Sequence, residues 1–550
     1  MTASYSIGDG ASKPDTPNRA AELAELIDAV KNLVVPFVQD ADEAFSERAQ
    51  GGPAGLQTAS LPVRTALVEP LTPQQLIPRL DLKLPHGEGG GRAAVLSLVQ
   101  RVLQLSVNTW DQGFLDKLYA STTPVGVAAE LLLAVLNTNL HVFQVSPALT
   151  LIEKTTAREF ARLFGFKGPW AGGVTVAGGS ASNFTSVIIA RNTLYPETKI
   201  HGNGVGRRFA LFTSAHGHYS VEKAAQAAGL GSGAVFVVPV DAAGCMVPAQ
   251  LEARIAAATA AGMTPLYVNA TAGTTVMGSY DPFEAISRIC KAHGLWMHID
   301  GSWGGPAIFS AVHCHKMAGS HLADSLTVNP HKMMNVPVTC SFLLGPDLRT
   351  FHKANTLPAA YLFHTPPDEK ESGLNGGKAI VVSRTGEQTP DGDKSEDDYE
   401  EVWDLADLTL QCGRRGDSLK LALAWVYEGA AGFERQTDHA FAMAALLTSI
   451  LASKLDVFSL VSSNPPPCLQ VCFYYADAAA SAPSQPSADK AVNTRRTREA
   501  VKRLIRRGFM IDYAPGDHGS FFRVVVNWQT RPGTVQGLVL ALEAVRKELE

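Results

Sequence analysis

Two segments hold the residue types needed for amine chemistry on an aldehyde. Lys332, in Asn329-Pro330-His331-Lys332, follows an apolar run and could form a Schiff base with a carbonyl cofactor. Asp300, in His298-Ile299-Asp300-Gly301-Ser302-Trp303, closes another apolar run. A carboxylate at the end of a buried strand needs a partner. A protonated pyridine nitrogen would be one, and the ion pair would keep that ring an electron sink for carbanion chemistry at an amino acid Cα. A helix N-terminus or a structural arginine would be another. Schiff-base chemistry requires a partly neutral amine, so burial and nearby cations are expected to depress the pKa of Lys332. His331 beside it could hold a phosphate or shuttle a proton.

Three further stretches could line the same site. Gly178-Gly179-Ser180-Ala181-Ser182-Asn183 follows a strand-like run and opens a helical one. Its free backbone N–H groups and small hydroxyls suit a phosphate, and equally a glycine turn with a serine N-cap. The G-x-G-x-x-G spacing of a dinucleotide fingerprint is absent. His218, in Gly217-His218-Tyr219-Ser220, could stack on a planar ring or simply mark a loop–helix junction. Asn269-Ala270-Thr271-Ala272-Gly273-Thr274-Thr275 is either a polar turn able to bond a phenolic oxygen or a turn alone. His313-Cys314-His315 with His321 matches no standard zinc spacing, and Cys468 and Cys472 fit a strand and its edge better than a ligand pair.

The elements that would position these residues alternate from Gly172 onward. β-rich runs at 173–177, 209–213, 234–240, 265–269, 295–299, 325–328 and 339–344 are interleaved with helical stretches at 181–195, 220–228, 248–261 and 282–292. Such alternation implies crossover connections and an α/β fold: a mostly parallel seven-stranded central sheet with helices on both faces. Ligands bind such sheets beyond the carboxyl ends of the strands, where Asp300 and Lys332 fall. Upstream, 20–49, 92–105, 124–137 and 150–164 show helical spacing, 51–85 reads as loop-rich, and the polar start of the chain reads as disordered. Residues 366–401, rich in Gly, Asp, Glu, Lys and Pro, read as a mobile surface insertion, and 476–486 as another loop. Beyond Val501, a helix, a strand at 521–527 and a final helix suggest a small α+β unit. The expected domains are a partly disordered, helical N-terminal segment over 1–105, a large α/β domain over 106–410 and a C-terminal α+β domain over 411–550.

Composition narrows the function classes. A chain of 550 residues is too long for one ordinary core, so two or three domains are expected. The net charge of -5 offers no electrostatic case for nucleic acid, and no apolar run is long enough to span a bilayer. The start, Met1-Thr2-Ala3-Ser4-Tyr5-Ser6, lacks the pattern of a signal peptide. The cysteines, all from Cys245 onward, form no disulfide framework, so a cytoplasmic setting is the simplest reading.

Together the motifs resemble the group II pyridoxal-phosphate decarboxylases, a fold-type I family, and within it the branch of glutamate, aspartate and cysteine-sulfinate decarboxylases. Asn137-Thr138-Asn139, Asn269 to Thr275, His298 to Gly305, Asn329 to Met334, Gln411-Cys412-Gly413-Arg414 and Phe521-Phe522-Arg523 carry the resemblance. It runs from about Asn108 to the C-terminus. It implies that pyridoxal 5'-phosphate is held on Lys332, that Asp300 pairs with its ring nitrogen and that His218 stacks on the ring. Ser180, Ala181 and Asn329 are implied at the phosphate, and Thr271 near the ring. Tyr361, in Ala360-Tyr361-Leu362-Phe363, matches a mobile-loop tyrosine that returns a proton to Cα after carbon dioxide leaves. The family's dimers, with active sites at the interface, imply a homodimer here.

The resemblance also speaks to the substrate. Arg523 matches an arginine that grips a substrate carboxylate, for which a guanidinium is suited. In Asp116-Lys117-Leu118-Tyr119, Lys117 stands where the branch carries the glutamine of a Gln-Leu-Ser substrate segment. Its charge still favours an acidic side chain, and its length suits aspartate better than glutamate. A long insertion after Phe363 replaces a brief connection. The implied activity is α-decarboxylation of an acidic L-amino acid, giving β-alanine from aspartate or 4-aminobutyrate from glutamate, with cysteine sulfinate as the alternative. Lys117 and Arg523 argue against an aromatic substrate, and Tyr361 against a transaminase. The intact Lys332, Asp300 and His218 argue against cofactor binding without catalysis.

Overall fold

A computed structural model of the chain describes residues 18–49, 67–357, 401–477 and 485–550. It divides into two compact units: residues up to Phe114 with Ile505–Phe509, and Leu115–Leu504 with Met510–Glu550. The first unit contains the helices Arg19–Ala49, Pro73–Leu80 and Gly91–Leu105. The middle one falls in a stretch whose composition reads as loop. A capping box starts it: the Thr72 side chain accepts from the Gln75 N–H, and the Gln75 side chain accepts from the Thr72 N–H. Pro73 occupies the first helical turn, where its missing N–H costs nothing.

In the second unit, seven strands form the main sheet. They are β1 Gly172–Val176, β2 Phe209–Ser214, β3 Val235–Val238, β4 Thr264–Thr271, β5 Trp296–Asp300, β6 Ser325–Val328 and β7 Ser341–Gly345. Their order is β1-β7-β6-β5-β4-β2-β3. Only β7 runs antiparallel to its neighbours; the other pairs are parallel. Each β-rich run of the sequence is one of these strands, and β5, β6 and β7 are buried along their whole length, as a sheet covered on both faces requires. The helices Gly179–Leu194, Ser220–Ala227, Pro248–Ala260 and Phe283–His293 lie between the strands in sequence. Side chains such as Phe209, Phe212, Tyr267 and Phe342 merge into one core with theirs.

Register levels the strand ends. Thr271 at the end of β4 pairs with Asp300 at the end of β5, and Asp300 pairs with Thr327 on β6. Further on, the helix Ser418–Ala452 is broken at Gly429, whose φ of 67° interrupts the helical path. A second, antiparallel sheet contains β8 Phe458–Leu460, β9 Gln470–Tyr475, β10 Met510–Gly516 and β11 Gly519–Val525, in the order β8-β9-β11-β10. Cys472 lies in β9, and the expected strand at 521–527 begins two residues earlier and ends at Val525. The final helix is Pro532–Leu549.

Candidate active site

Strand periodicity lays the base of the site. His298 and Asp300 are two residues apart on β5 and so share one face of the sheet. Asn183, near the start of the helix Gly179–Leu194, reaches both. Its Nδ2 donates to Asp300 Oδ2 at 2.8 Å and to Ser220 Oγ at 2.9 Å, while its Oδ1 faces His298 Nε2 at 3.1 Å. An ionised carboxylate only accepts, so Asn183 must turn its amide nitrogen to Asp300, and His298 must donate from Nε2. His298 Nδ1 then accepts from Ser325 Oγ at 2.8 Å, and Ser325 accepts from Trp296 Nε1 at 2.8 Å. This is the bonding of a neutral ring. Burial lowers its pKa to about 4 despite the opposing pull of Asp300.

Asp300 also accepts from the Ser302 N–H at 3.1 Å. Burial raises its pKa, but the charge of Lys332 and the hydrogen bonds from Ser302 and Asn183 hold it below the usual carboxylate range. Lys332 sits in the turn after β6, its N–H donating to the Asn329 carbonyl at 2.9 Å. Burial lowers its ammonium pKa and Asp300 opposes the shift. The direction is the one expected, and of the two expected causes it is burial that acts. His331 is held with Nδ1 2.6 Å from the Cys340 carbonyl, and burial takes its pKa to about 4. His218 accepts at Nδ1 from the Ser220 N–H at 3.2 Å, and its pKa is lowered chiefly by burial.

A cavity of about 240 Å³ brings these groups together; Ser180, His218, Thr271, Asp300, Asn329, His331 and Lys332 all line it. Ala181, in the same helical turn as Ser180, packs against the hydrophobic core instead. Two hydroxyls on the cavity-lining residues, Thr271 Oγ1 and Ser302 Oγ, are buried with no hydrogen-bond partner among the described residues. At Gly179 a Cβ would come within 2.7 Å of Ser302 Oγ and 2.8 Å of Asn329 Nδ2, so only glycine keeps that cradle open. These polar atoms, together with the unpaired N–H groups of a helix start, suit a phosphate. With a carboxylate and a lysine on the same cavity, the residues fit pyridoxal phosphate.

Lys117 and Arg523 do not line this cavity; they converge on Asp512. Lys117 Nζ lies 2.8 Å and Arg523 Nη2 2.7 Å from the same Asp512 oxygen. Arg523 Nη1 reaches the carbonyl of Thr275, itself a cavity residue, at 3.0 Å. Leu118 is partly buried and Tyr119 exposed. Tyr361 and nearly all of the insertion after Phe363 lie outside the described residues. Sequence reasoning assigned no role to Asn183, Ser302 or Asp281. Asp281 accepts from the Thr271 N–H at 2.8 Å and so holds the polar turn. The i,i+3 spacing of Ser180 and Asn183 on one helix face was the available signal for Asn183. His313 stacks on Phe441 with ring centroids 3.9 Å apart.

Two neutral buried histidines predict a pH response. His298 and His331 titrate near 4 in the fold rather than at the ordinary 6.5. Between those values the unfolded chain binds more protons, so stability falls as pH drops from 6.5 towards 4. Each ring contributes a slope of at most about 1.4 kcal/mol per pH unit, and below pH 6 the carboxyls of Asp281 and Asp407, raised by burial to about 6, oppose it, so the histidine contribution is read as the difference between wild type and variant. Thermal melts from pH 7 to 4.5 of the wild type and His298→Gln should differ by about the contribution of one ring, with the variant losing less stability as the pH falls. An unchanged slope in that variant would refute the assignment.

The fold and the cavity define a fold-type I pyridoxal-phosphate enzyme. The chain belongs to the pyridoxal-dependent decarboxylase family, whose conserved domain matches residues 73–388, a likeness that begins upstream of Asn108. It is therefore a pyridoxal-phosphate-dependent decarboxylase. It is 52% identical over 532 residues to L-aspartate decarboxylase dtxS4 of Metarhizium robertsii, covering 97% of this chain and 98% of that one. Human cysteine sulfinic acid decarboxylase is 35% identical over 458 residues, covering 82% and 85% respectively. The crystal structure of mouse CSAD in apo form superposes with a TM-score of 0.78 at 30% identity, covering 96% of this chain and 99% of that one.

Proposed function

We propose that the enzyme removes the α-carboxylate of a short acidic L-amino acid, L-aspartate ahead of L-glutamate, releasing carbon dioxide and β-alanine or 4-aminobutyrate. The observation that carries this reading is Arg523, a buried cation one hydrogen bond behind the cavity wall at Thr275. A substrate side-chain carboxylate would be drawn towards that guanidinium, and an aromatic side chain would not. The likeness to an L-aspartate decarboxylase supports the same choice.

Bound pyridoxal phosphate supplies an aldehyde that captures amines and a ring that takes up the electron pair left when carbon dioxide departs. Asp300 would keep a proton on the ring nitrogen, and Lys332 would anchor the aldehyde and, when free, hold a proton near Cα. His218 would cover one face of the ring. Ser180, Ser302 and Asn329 would receive the phosphate, and Thr271 would bond the ring's phenolic oxygen. We also infer a cytoplasmic homodimer. The helix Pro124–Leu136 exposes Val127, Leu131, Leu132, Val135 and Leu136, an apolar stripe that a second copy would cover. The free cysteines suit a reducing compartment. No helix among the described residues is long and apolar enough to cross a membrane.

Amine release from L-aspartate, L-glutamate, L-cysteine sulfinate, L-tyrosine and L-tryptophan tests the reading. The expected order of kcat/KM places L-aspartate first and leaves the aromatic substrates at background. A tyrosine or tryptophan preference would overturn the acidic assignment, and a glutamate preference would overturn the order.

A further inference from the structure

Behind the cavity wall lies a closed set of four charges. Asp512 Oδ2 accepts from Lys117 Nζ at 2.8 Å and from Arg523 Nη2 at 2.7 Å. Lys117 also lies 3.4 Å from Asp116 Oδ1, and Arg523 Nη2 donates to the Asp116 carbonyl at 3.2 Å. Two cations therefore face two carboxylates, and the formal charge of the set is zero when all four are ionised. The arrangement is built on rigid backbone: Asp512 and Arg523 are directly paired residues on adjacent antiparallel strands, β10 and β11. Arg523 keeps one buried donor, Nε, without a partner among the described residues.

The place where the two cations converge is thus already taken by a carboxylate of the chain itself. The cavity stops at Thr275, and none of the four side chains lines it. A substrate whose carboxylate stops short of the cluster can use what Arg523 still offers. A substrate one methylene longer would push its carboxylate towards the position of Asp512, where it would meet a like charge and filled space.

We propose that Asp512 is a specificity-determining residue, acting as an internal stand-in for the distal carboxylate of a longer diacid and so restricting the enzyme to a short one. The proposal rests on the reading of the enzyme as an acidic amino acid decarboxylase. It assigns selection by chain length to the Lys117–Asp512–Arg523 set rather than to Lys117 alone.

The test compares kcat/KM for L-aspartate and L-glutamate in the wild-type holoenzyme, Asp512→Ser and Asp512→Asn. Asp512→Ser removes both charge and bulk, and is expected to raise the glutamate-to-aspartate ratio about tenfold or more, mainly through a lower KM for glutamate. Asp512→Asn removes the charge while keeping the bulk and should move the ratio in the same direction by less. In the wild type, succinate should inhibit more strongly than glutarate, a comparison that needs no variant to fold. An unchanged ratio in both variants, or stronger inhibition of the wild type by glutarate, overturns the role of Asp512 while leaving the decarboxylase reading intact. A wild-type enzyme that decarboxylates neither acid overturns both.

Discussion

Lys332→Ala is expected to reduce amine and carbon dioxide release by about 10³-fold or more. The loss of a positioned proton carrier alone accounts for about 10²–10⁴-fold, and the anchor for the aldehyde goes with it. The fold should persist. Asp300 loses the charge of Lys332 but keeps the Asn183 amide and the Ser302 N–H as partners. Circular dichroism would therefore stay near wild type, with a modest loss in melting temperature, while turnover disappears. A second readout separates anchoring from folding. Borohydride treatment should leave the cofactor covalently attached at residue 332 in the wild type and unattached in the variant, as read by peptide mass. Retained turnover, or covalent attachment elsewhere in the variant, would refute the assignment.

Much of the architecture was legible because strands buried on both faces leave continuous apolar runs. Trp296 to Ile299 and Leu326 to Val328 are such runs, each broken by one polar residue, His298 and Thr327, and the residues that close them, Asp300 and Asn329, announce the carboxyl edge of the sheet. What was not legible depends on register and on contacts between distant segments. The tie from Asn183 to Asp300 and His298 spans more than a hundred residues and exists only because β5 presents both side chains to one helix. Asp512 is equally silent in the sequence. It is one acid in a short β-run, and its meaning comes from standing opposite Arg523 on the neighbouring strand.

One misread helix and one that the sequence did not announce have local physical causes. The helix Pro73–Leu80 was hidden by a proline- and glycine-rich surrounding, although Thr72-Pro73-Gln74-Gln75 spells its capping box. The helix Ser418–Ala452 was hidden because Gly429 and Gly432 interrupt its apolar period where the backbone breaks. Lys117 is a different case: its charge reads from the sequence as a contact for an acidic substrate, while Asp512, the carboxylate it meets in the fold, is not legible there.

Asp300→Asn is expected to lower kcat by about 10²–10³-fold and to weaken cofactor binding, because the substitution keeps the shape but deletes a charge preorganised at the ring nitrogen. The local hydrogen bonds sharpen the expectation. Asp300 accepts at Oδ2 from Asn183 and at Oδ1 from the Ser302 N–H. An asparagine would turn an amide nitrogen towards one of those donors and leave it unpaired, at a cost of about 1–3 kcal/mol in stability. The variant should also act on Lys332. Asp300 is the group that opposes burial there, so its removal takes the lysine pKa further down. The pH at which the apoenzyme half-maximally captures pyridoxal phosphate should shift downward in Asp300→Asn even as the affinity falls. A purely structural aspartate would produce the stability loss without moving that midpoint, and an unmoved midpoint with near-normal turnover would remove Asp300 from the site chemistry altogether.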